Sequence, residues 1–441
     1  MSRKVKKAPS GTQAWTPRRI GICATQLFLY CFLAYACSYV GRKNFSACIP
    51  AMIEEGFLLK SFGGYVTTAY MLVYGTGQIV SGLLAARIKP RYMIALGVLG
   101  AGLCNLLMGM TPTPYPMIAI WACNGFFHSM LWSPIIRTFT DLLPSERRSA
   151  AGTNIAASCS VGAILAFLIP GIILRFGDWR TVFFVSGGIL LACFAVWVTG
   201  NRILNGYIAH MEEICAEERR TASPTVEAVD SSGSHSRSGL LTLFIGGGLW
   251  VVLFGLVCNG ALRDAVETWA PSFLSERFGL DSSLSALLSV AIPLISISGT
   301  YAANFLHERV FRNELIAAAV TFAVAALCVG GLFLCRYMPL PALSAVLSAL
   351  FMAVSVAAMW GTNHLFLTVI PYRFASVGLS ASVTGILNSV IYFATALCSG
   401  LYGVLADVVG WDVLILIWLG IGVLGVATCL AGAGIWGKRL R

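Results

Sequence analysis

The sequence predicts an all-α membrane protein, with twelve transmembrane helices in two pseudo-symmetric six-helix bundles. Three observations predict it. Of 441 residues, 57% are hydrophobic and only 11% charged, a composition foreign to water-soluble globular domains. Apolar runs long enough to span a bilayer recur along the whole chain. The two halves echo one another across a single polar break at 205–238.

The runs place spans at 20–42, 63–86, 92–111, 117–142, 148–174, 180–204, 239–274, 283–306, 314–335, 341–368, 378–405 and 412–435. The longest of them must tilt, kink or emerge into water. The break between the sixth and seventh contains Ser223-Pro224 and a Ser/Gly/His run at 231–236, and its Glu-rich part, Met211 to Arg220, is expected to form a surface helix. The predicted organisation is a basic tail (1–19), a first bundle (20–204), a linker (205–238), a second bundle (239–436) and a short tail (437–441).

Most of the 30 Lys and Arg residues fall in the tails, the linker and the loops near 87–91, 143–148 and 309–312. The opposite side carries Lys60, Arg175, Arg180, Arg277 and Arg336. This bias puts both termini and the linker in the cytoplasm, in a plasma (bacterial inner) membrane. The formal charge of +11 therefore reports orientation and contact with anionic lipid. Basic residues scattered over short loops do not make a nucleic-acid surface. The first apolar run ends in Arg42-Lys43 without a cleavage site and reads as a helix, not a removed signal. The 14 cysteines lie largely within apolar runs, without CxxC pairs or metal-ligand spacing, and read as small packing residues.

The internal echo appears at three places. Gly82 to Arg91 follows the second span and Phe305 to Arg312 the eighth; Pro144-Ser145-Glu146-Arg147 follows the fourth and Pro371-Tyr372-Arg373 the tenth. Gly177-Asp178-Trp179-Arg180 matches Gly410-Trp411-Asp412. Six plus six helices with internal repeats is a common construction of secondary transporters, with the substrate at the interface of the repeats.

Charges inside apolar spans mark function, because each costs about 2.5–3.5 kcal/mol at a bilayer centre. Tyr35, Tyr39 and Arg42 share one face of the first span, and Lys43 follows Tyr39 by four. An arginine fork with two phenols suits a phosphate or carboxylate. Lys43 is either a second donor or a charge snorkelling to headgroups. In the seventh span Arg263, Asp264 and Glu267 lie together; Arg263 and Glu267, at i and i+4, are expected to pair and to loosen when a substrate anion competes. His128 in the fourth span is a phosphate donor or a helix–helix tie. Arg137 and Asp141, also i and i+4, suit a gate or a structural pair near the cytoplasm. Tyr74 in the second span, with Tyr70 beside it, and Tyr392 in the eleventh are further polar candidates. No phosphate loop, catalytic metal motif, nucleophile elbow or dinucleotide fingerprint occurs where its chemistry needs it. The expectation is a protein without cofactors that is not an enzyme, driven by solute gradients and working as a monomer.

The chain resembles the major facilitator superfamily, and within it the organophosphate:phosphate antiporters, which include bacterial glycerol-3-phosphate and hexose-phosphate transporters. The resemblance rests on Tyr-x-x-Arg-Lys-Asn-Phe at 39–45, Tyr74-Gly75, Trp132-x-Pro134-x-x-Arg137-Thr138, Glu146-Arg147, Arg263 with Trp269-x-Pro271, Val310-Phe311-Arg312 and Gly410-Trp411-Asp412. It implies that Arg42 and Arg263 bind the substrate phosphate, one from each half. It also implies that Tyr35, Tyr39, Tyr74 and Lys43 line the cavity, that Tyr392 faces it, and that organic phosphate enters as inorganic phosphate leaves. The chain departs from the glycerol-phosphate members in the surrounding shell. Cys159 stands for a histidine, Gln78 for a lysine, and Thr268 for an acid that Glu267 adjoins; the superfamily's loop aspartates are Ala86 and Glu308. The alternatives are a membrane sensor for a sugar phosphate, or a proton-coupled carrier of a phosphonate or other organic anion. A drug or cation exporter of the same fold ranks last, because it would carry buried acids without the two arginines.

Overall fold

The computed structural model describes residues 15–85, 87–221, 249–373 and 380–438. The start of the basic tail, Ala86, the linker from 222 onward with its Ser-Pro and Ser/Gly/His stretches, the first part of the seventh span (239–248) and residues 439–441 lie outside them.

The described residues are helical, with no strand among them. The first half comprises α1 (Pro17–Glu54), α2 (Lys60–Ala85), α3 (Pro90–Gly109), α4 (Tyr115–Ser129), α5 (Trp132–Leu142), α6 (Ser145–Asn154), α7 (Ala156–Leu174), α8 (Trp179–Ile203) and α9 (Asn205–Thr221). The second comprises α10 (Leu249–Phe278), α11 (Ser282–Ser289), α12 (Ala291–Phe305), α13 (Glu314–Leu334), α14 (Pro341–His364), α15 (Ser380–Val408) and α16 (Gly410–Lys438). Short polar side chains open several of them. Thr16, Asp178 and Asp281 accept the backbone N–H of Arg19, Thr181 and Leu284 at 3.3, 2.8 and 2.7 Å.

Three expected spans are each two helices. Pro134 has no N–H for the carbonyl of Met130, and the fourth span divides between α4 and α5. Pro293 does the same to Ser289, dividing the eighth into α11 and α12. The fifth divides at Ile155, between α6 and α7. Among the described residues ten segments are long and apolar enough to cross a membrane. The two expected spans outside that set are α2, diluted by Tyr, Thr, Gly and Gln78, and the interrupted α4–α5 pair.

The largest correction concerns the first span, expected to end at Arg42. Its helix continues to Glu54, so Arg42 and Lys43 sit mid-helix instead of at a membrane surface. At 1.5 Å per residue its 38 residues extend about 57 Å, longer than a bilayer with its headgroups. The Glu-rich segment is the second part of α9, which Tyr207, Ile208 and Met211 bury against the first half. The Tyr207 hydroxyl donates to Leu142 O at 2.6 Å.

Close helix approach depends on glycine. A Cβ on Gly299 of α12 would lie 1.8 Å from the carbonyl oxygen of Ala357 on α14. Between the halves, α2 and α15 cross at Gly64 and Gly400, where a Cβ on Gly64 would meet Gly400 O at 3.0 Å.

The repeats seen in sequence recur in space. The Trp179 indole N–H donates to Glu55 just beyond α1, and the Trp411 indole N–H donates to Glu276 near the end of α10, at 2.9 Å. At that same end the halves are tied together. Lys60 reaches Glu276 at 2.8 Å and Asp407 at 3.7 Å, Ser61 N–H donates to Asp407 at 2.7 Å, and Ser283 donates to Gly171 O at 2.6 Å. Toward the opposite end an open-sided cleft of about 490 Å³ runs along α5, lined by Trp132, Ser133, Ile136, Arg137, Thr140 and Asp141.

Candidate functional site: charged side chains at the seam of the two halves

Between these ends, α1 and α2 of the first half meet α10 and α15 of the second. Arg42 is partly exposed, with no carboxylate partner among the described residues. Its guanidinium lies 4.7 Å from the Tyr39 ring centroid, 5.0 Å from Tyr74 and 6.0 Å from Tyr70. Ring faces hold the cation without consuming its hydrogen-bond donors, which leaves the fork available. Behind it, Asn105 and Asn124 each donate to the carbonyl of Gly41 at 3.0 Å, and Asn44 donates to Asn105 at 2.8 Å. These amides fix the backbone beside Arg42. Sequence reading quoted Asn44 only as part of the 39–45 motif and missed Asn105 and Asn124, since lone asparagines in separate spans carry no pattern.

Arg263 is held differently. It donates to Asp264 at 2.8 Å and to Asn363 of α14 at 2.8 Å, and Trp360 covers its face at 4.6 Å. Only its Nε lacks a partner. Trp360 and Asn363, at i and i+3, belong to the site and were also missed. Asp264 also accepts the Thr395 hydroxyl at 2.7 Å.

The expected Arg263–Glu267 pair does not form. Glu267 pairs instead with Lys43 of the opposite half at 3.0 Å, both side chains buried. The i,i+4 spacing allows a pair on one helix, but the tight α1–α10 crossing brings Lys43 closer, and Asp264 already occupies Arg263. Lys43 is therefore neither snorkelling nor free; it is half of an ion pair across the seam. A buried pair of this kind holds firmly only while both partners remain, because removing either strands the other charge.

Tyr392 meets Tyr74 edge-to-face at 5.2 Å and lies within electrostatic reach of both Arg42 and Arg263, on the line between the halves. Tyr35 packs against Trp132 at 5.1 Å and Tyr39 at 5.6 Å, at the wall of the site facing the cleft. His128 does not present a free donor. Its Nδ1 lies 2.9 Å from Asn124 O and its Nε2 2.9 Å from Ser38 O, so it ties α4 to α1. Arg137 and Asp141 pair at 3.1 Å along the cleft, away from the two central arginines.

Two helical bundles with a cationic seam define a membrane carrier fold. The description of the Major Facilitator Superfamily matches residues 31–373, and the chain belongs to that superfamily. It is thus an integral membrane protein and not an enzyme. The chain is 27% identical over 263 residues to the membrane sensor protein UhpC of Escherichia coli, 58% of each chain. It is 23% identical over 259 residues to a probable hexose phosphate transport protein of Chlamydia trachomatis, 57% of each chain. It is 28% identical over 266 residues to a glycerol-3-phosphate transporter of Bacillus subtilis, 58% of each. These names bear out the resemblance to the organophosphate:phosphate antiporter type, although each match spans less than two thirds of the relative's own length. In fold the chain is similar to a bacterial homologue of the human lysosomal transporter Spinster, with a TM-score of 0.75 at 14% identity over 96% of this chain and 99% of that one.

Proposed function

We propose that the chain is a secondary transporter that imports an organic phosphate ester, of the sugar-phosphate or glycerol-phosphate class, in exchange for inorganic phosphate. The observation that carries this reading is Arg42: a guanidinium at the seam, ringed by tyrosines and unmatched by a carboxylate, with Arg263 beyond Tyr392. Arg42 and Arg263 take the phosphate from opposite halves; Tyr35, Tyr39, Tyr74 and Tyr392 line the space around it. Lys43–Glu267 ties the halves and yields when substrate binds, and Arg137 with Asp141 guards the cytoplasmic cleft. The bundles at 20–204 and 239–436 rock about the site. By the charge bias both termini face the cytoplasm of a bacterial inner membrane, and the protein works as a monomer.

The likeness to a membrane sensor favours one second reading, a receptor that binds a sugar phosphate and signals without transporting it. Purified protein in phosphate-loaded liposomes separates the two. Exchange of internal labelled phosphate for external glycerol phosphate or hexose phosphate is the expected result. Saturable binding of these esters without exchange would establish the sensor and overturn the transporter.

A further inference from the structure

A second set of bases stands apart from the seam, where α3, α8 and α9 meet at one end of the first half. The Arg91 guanidinium lies 5.0 Å from the Tyr92 ring centroid, and it reaches Asn205 Oδ1 and the Tyr92 hydroxyl only at 3.4 Å, beyond the usual length of a hydrogen bond. Its Nε is buried and has no partner. Glu212, the carboxylate lining the same corner, spends both oxygens on Lys89, at 2.8 and 3.1 Å. Arg202, exposed in the last turn of α8, lies three residues before Asn205. Among the described residues neither Arg91 nor Arg202 pairs with a carboxylate. The second half closes the corresponding junction internally. There the buried Glu314, at the start of α13, accepts both the Arg373 guanidinium and the Trp436 indole N–H. In the first half the Trp197 indole donates to the Arg91 carbonyl at 3.0 Å, and no described carboxylate meets the guanidinium.

We infer that this corner binds the headgroup phosphate of an anionic phospholipid, held by Arg91 and Arg202. The unspent groups are donors with positive charge, so the ligand must bring acceptor oxygens and negative charge; an arginine fork matches the oxygens of a phosphate. What lies beside the bases points to a lipid instead of a soluble phosphate. Tyr92 and Leu96, at i and i+4 on α3, and Val196 and Ile203, at i and i+7 on α8, are all exposed, and the two helices pack side by side. They form an apolar column that leads from the bases along the outside of the bundle, where acyl chains lie. Tyr92 at that level has the apolar body and polar tip of an interfacial anchor. A zwitterionic lipid offers the same phosphate but carries a cation that meets the same two bases, so net negative charge decides. The site does not depend on which solute is transported.

The test is native mass spectrometry of the purified full chain, titrated in detergent with dioleoyl phosphatidylglycerol or dioleoyl phosphatidylcholine. Phosphatidylglycerol is expected to bind about tenfold or more tightly than phosphatidylcholine, since each base near a lipid surface adds roughly fivefold. Arg91→Gln combined with Arg202→Gln should lower it to the phosphatidylcholine level. Arg309→Gln combined with Arg312→Gln removes the same charge from the corresponding loop of the second half, and should change the affinity by less than about twofold. Equal affinity for the two lipids would overturn the assignment. So would an equal loss in the control pair, which would mean diffuse surface charge. Displacement of phosphatidylglycerol by equimolar glycerol phosphate would overturn it in favour of a site for free phosphate. The lipid comparison, the control pair and the displacement all stand even if the double substitution at the corner does not fold.

Discussion

Arg42→Lys is expected to lower phosphate exchange by about a hundredfold or more, although it keeps the charge. The tyrosine ring faces around Arg42 leave its planar fork without a competing carboxylate. Two parallel charge-assisted hydrogen bonds to one phosphate need that fork, and a compact ammonium on a shorter reach cannot reproduce both. Losing one such bond, at about 1.5–3 kcal/mol, lowers the rate by one to two powers of ten, and misplacing the anion adds to it. Initial rates of labelled phosphate exchange in liposomes, at matched protein content, check this. Exchange within threefold of wild type would mean that Arg42 supplies charge alone.

Gly299→Ala should be among the most destabilising single-methyl additions in the chain. The new Cβ would sit 1.8 Å from Ala357 O, and the obstacle is the backbone of α14, which has no rotamer to give way. A glycine on α14, Gly361, meets the same crossing, its Cβ position 2.8 Å from Gly299 O. The two helices must separate along their contact, exceeding the ~1–3 kcal/mol typical of overpacking against side chains. Gly188→Ala is the control: its Cβ meets nothing within 4 Å, and alanine favours a helix by roughly 0.8–1 kcal/mol over glycine. In detergent, thermal unfolding followed by size exclusion should show Gly299→Ala melting well below wild type, and Gly188→Ala at or above it. Equal midpoints for the two variants would refute the close-packed crossing.

The residues of the seam differ in how readable they were. Arg42 and Arg263 declared themselves because a charge in an apolar run is costly and rare. Tyr35 and Tyr39 followed from helical spacing, which is a local property, whereas Tyr74 was a polar candidate that the resemblance assigned to the cavity. Pairing between helices is not local, and there the reading failed. Glu267 was assigned to Arg263 by i,i+4 spacing, whereas Lys43 from the other half takes it. Asn363 and Trp360 were invisible because one asparagine and one tryptophan three apart are unremarkable until α14 packs beside α10. His128 stayed open between a phosphate donor and a helix–helix tie because polarity was visible in the sequence and its two carbonyl partners were not; the structure shows the tie. The end of the first span was placed at Arg42 because hydropathy falls there. A helix continues through charge when other helices surround it, as they do as far as Met52. The breaks near Met130 and Ser289 were not read, because hydropathy runs straight through them; the signal for each was the proline four residues on, Pro134 and Pro293.

The central claim is that one phosphate is held jointly by Arg42 and Arg263 across the seam. Titration of purified wild type, Arg42→Ala, Arg263→Ala and the double variant with a labelled phosphate ester tests it most directly. Joint binding predicts that either single substitution weakens affinity about a hundredfold or more, with the double little worse than the weaker single, because both act on one bound group. Arg263→Ala binding the ester as tightly as wild type would contradict it, leaving Arg42 as the sole anion receptor and Arg263–Asp264 as a structural pair.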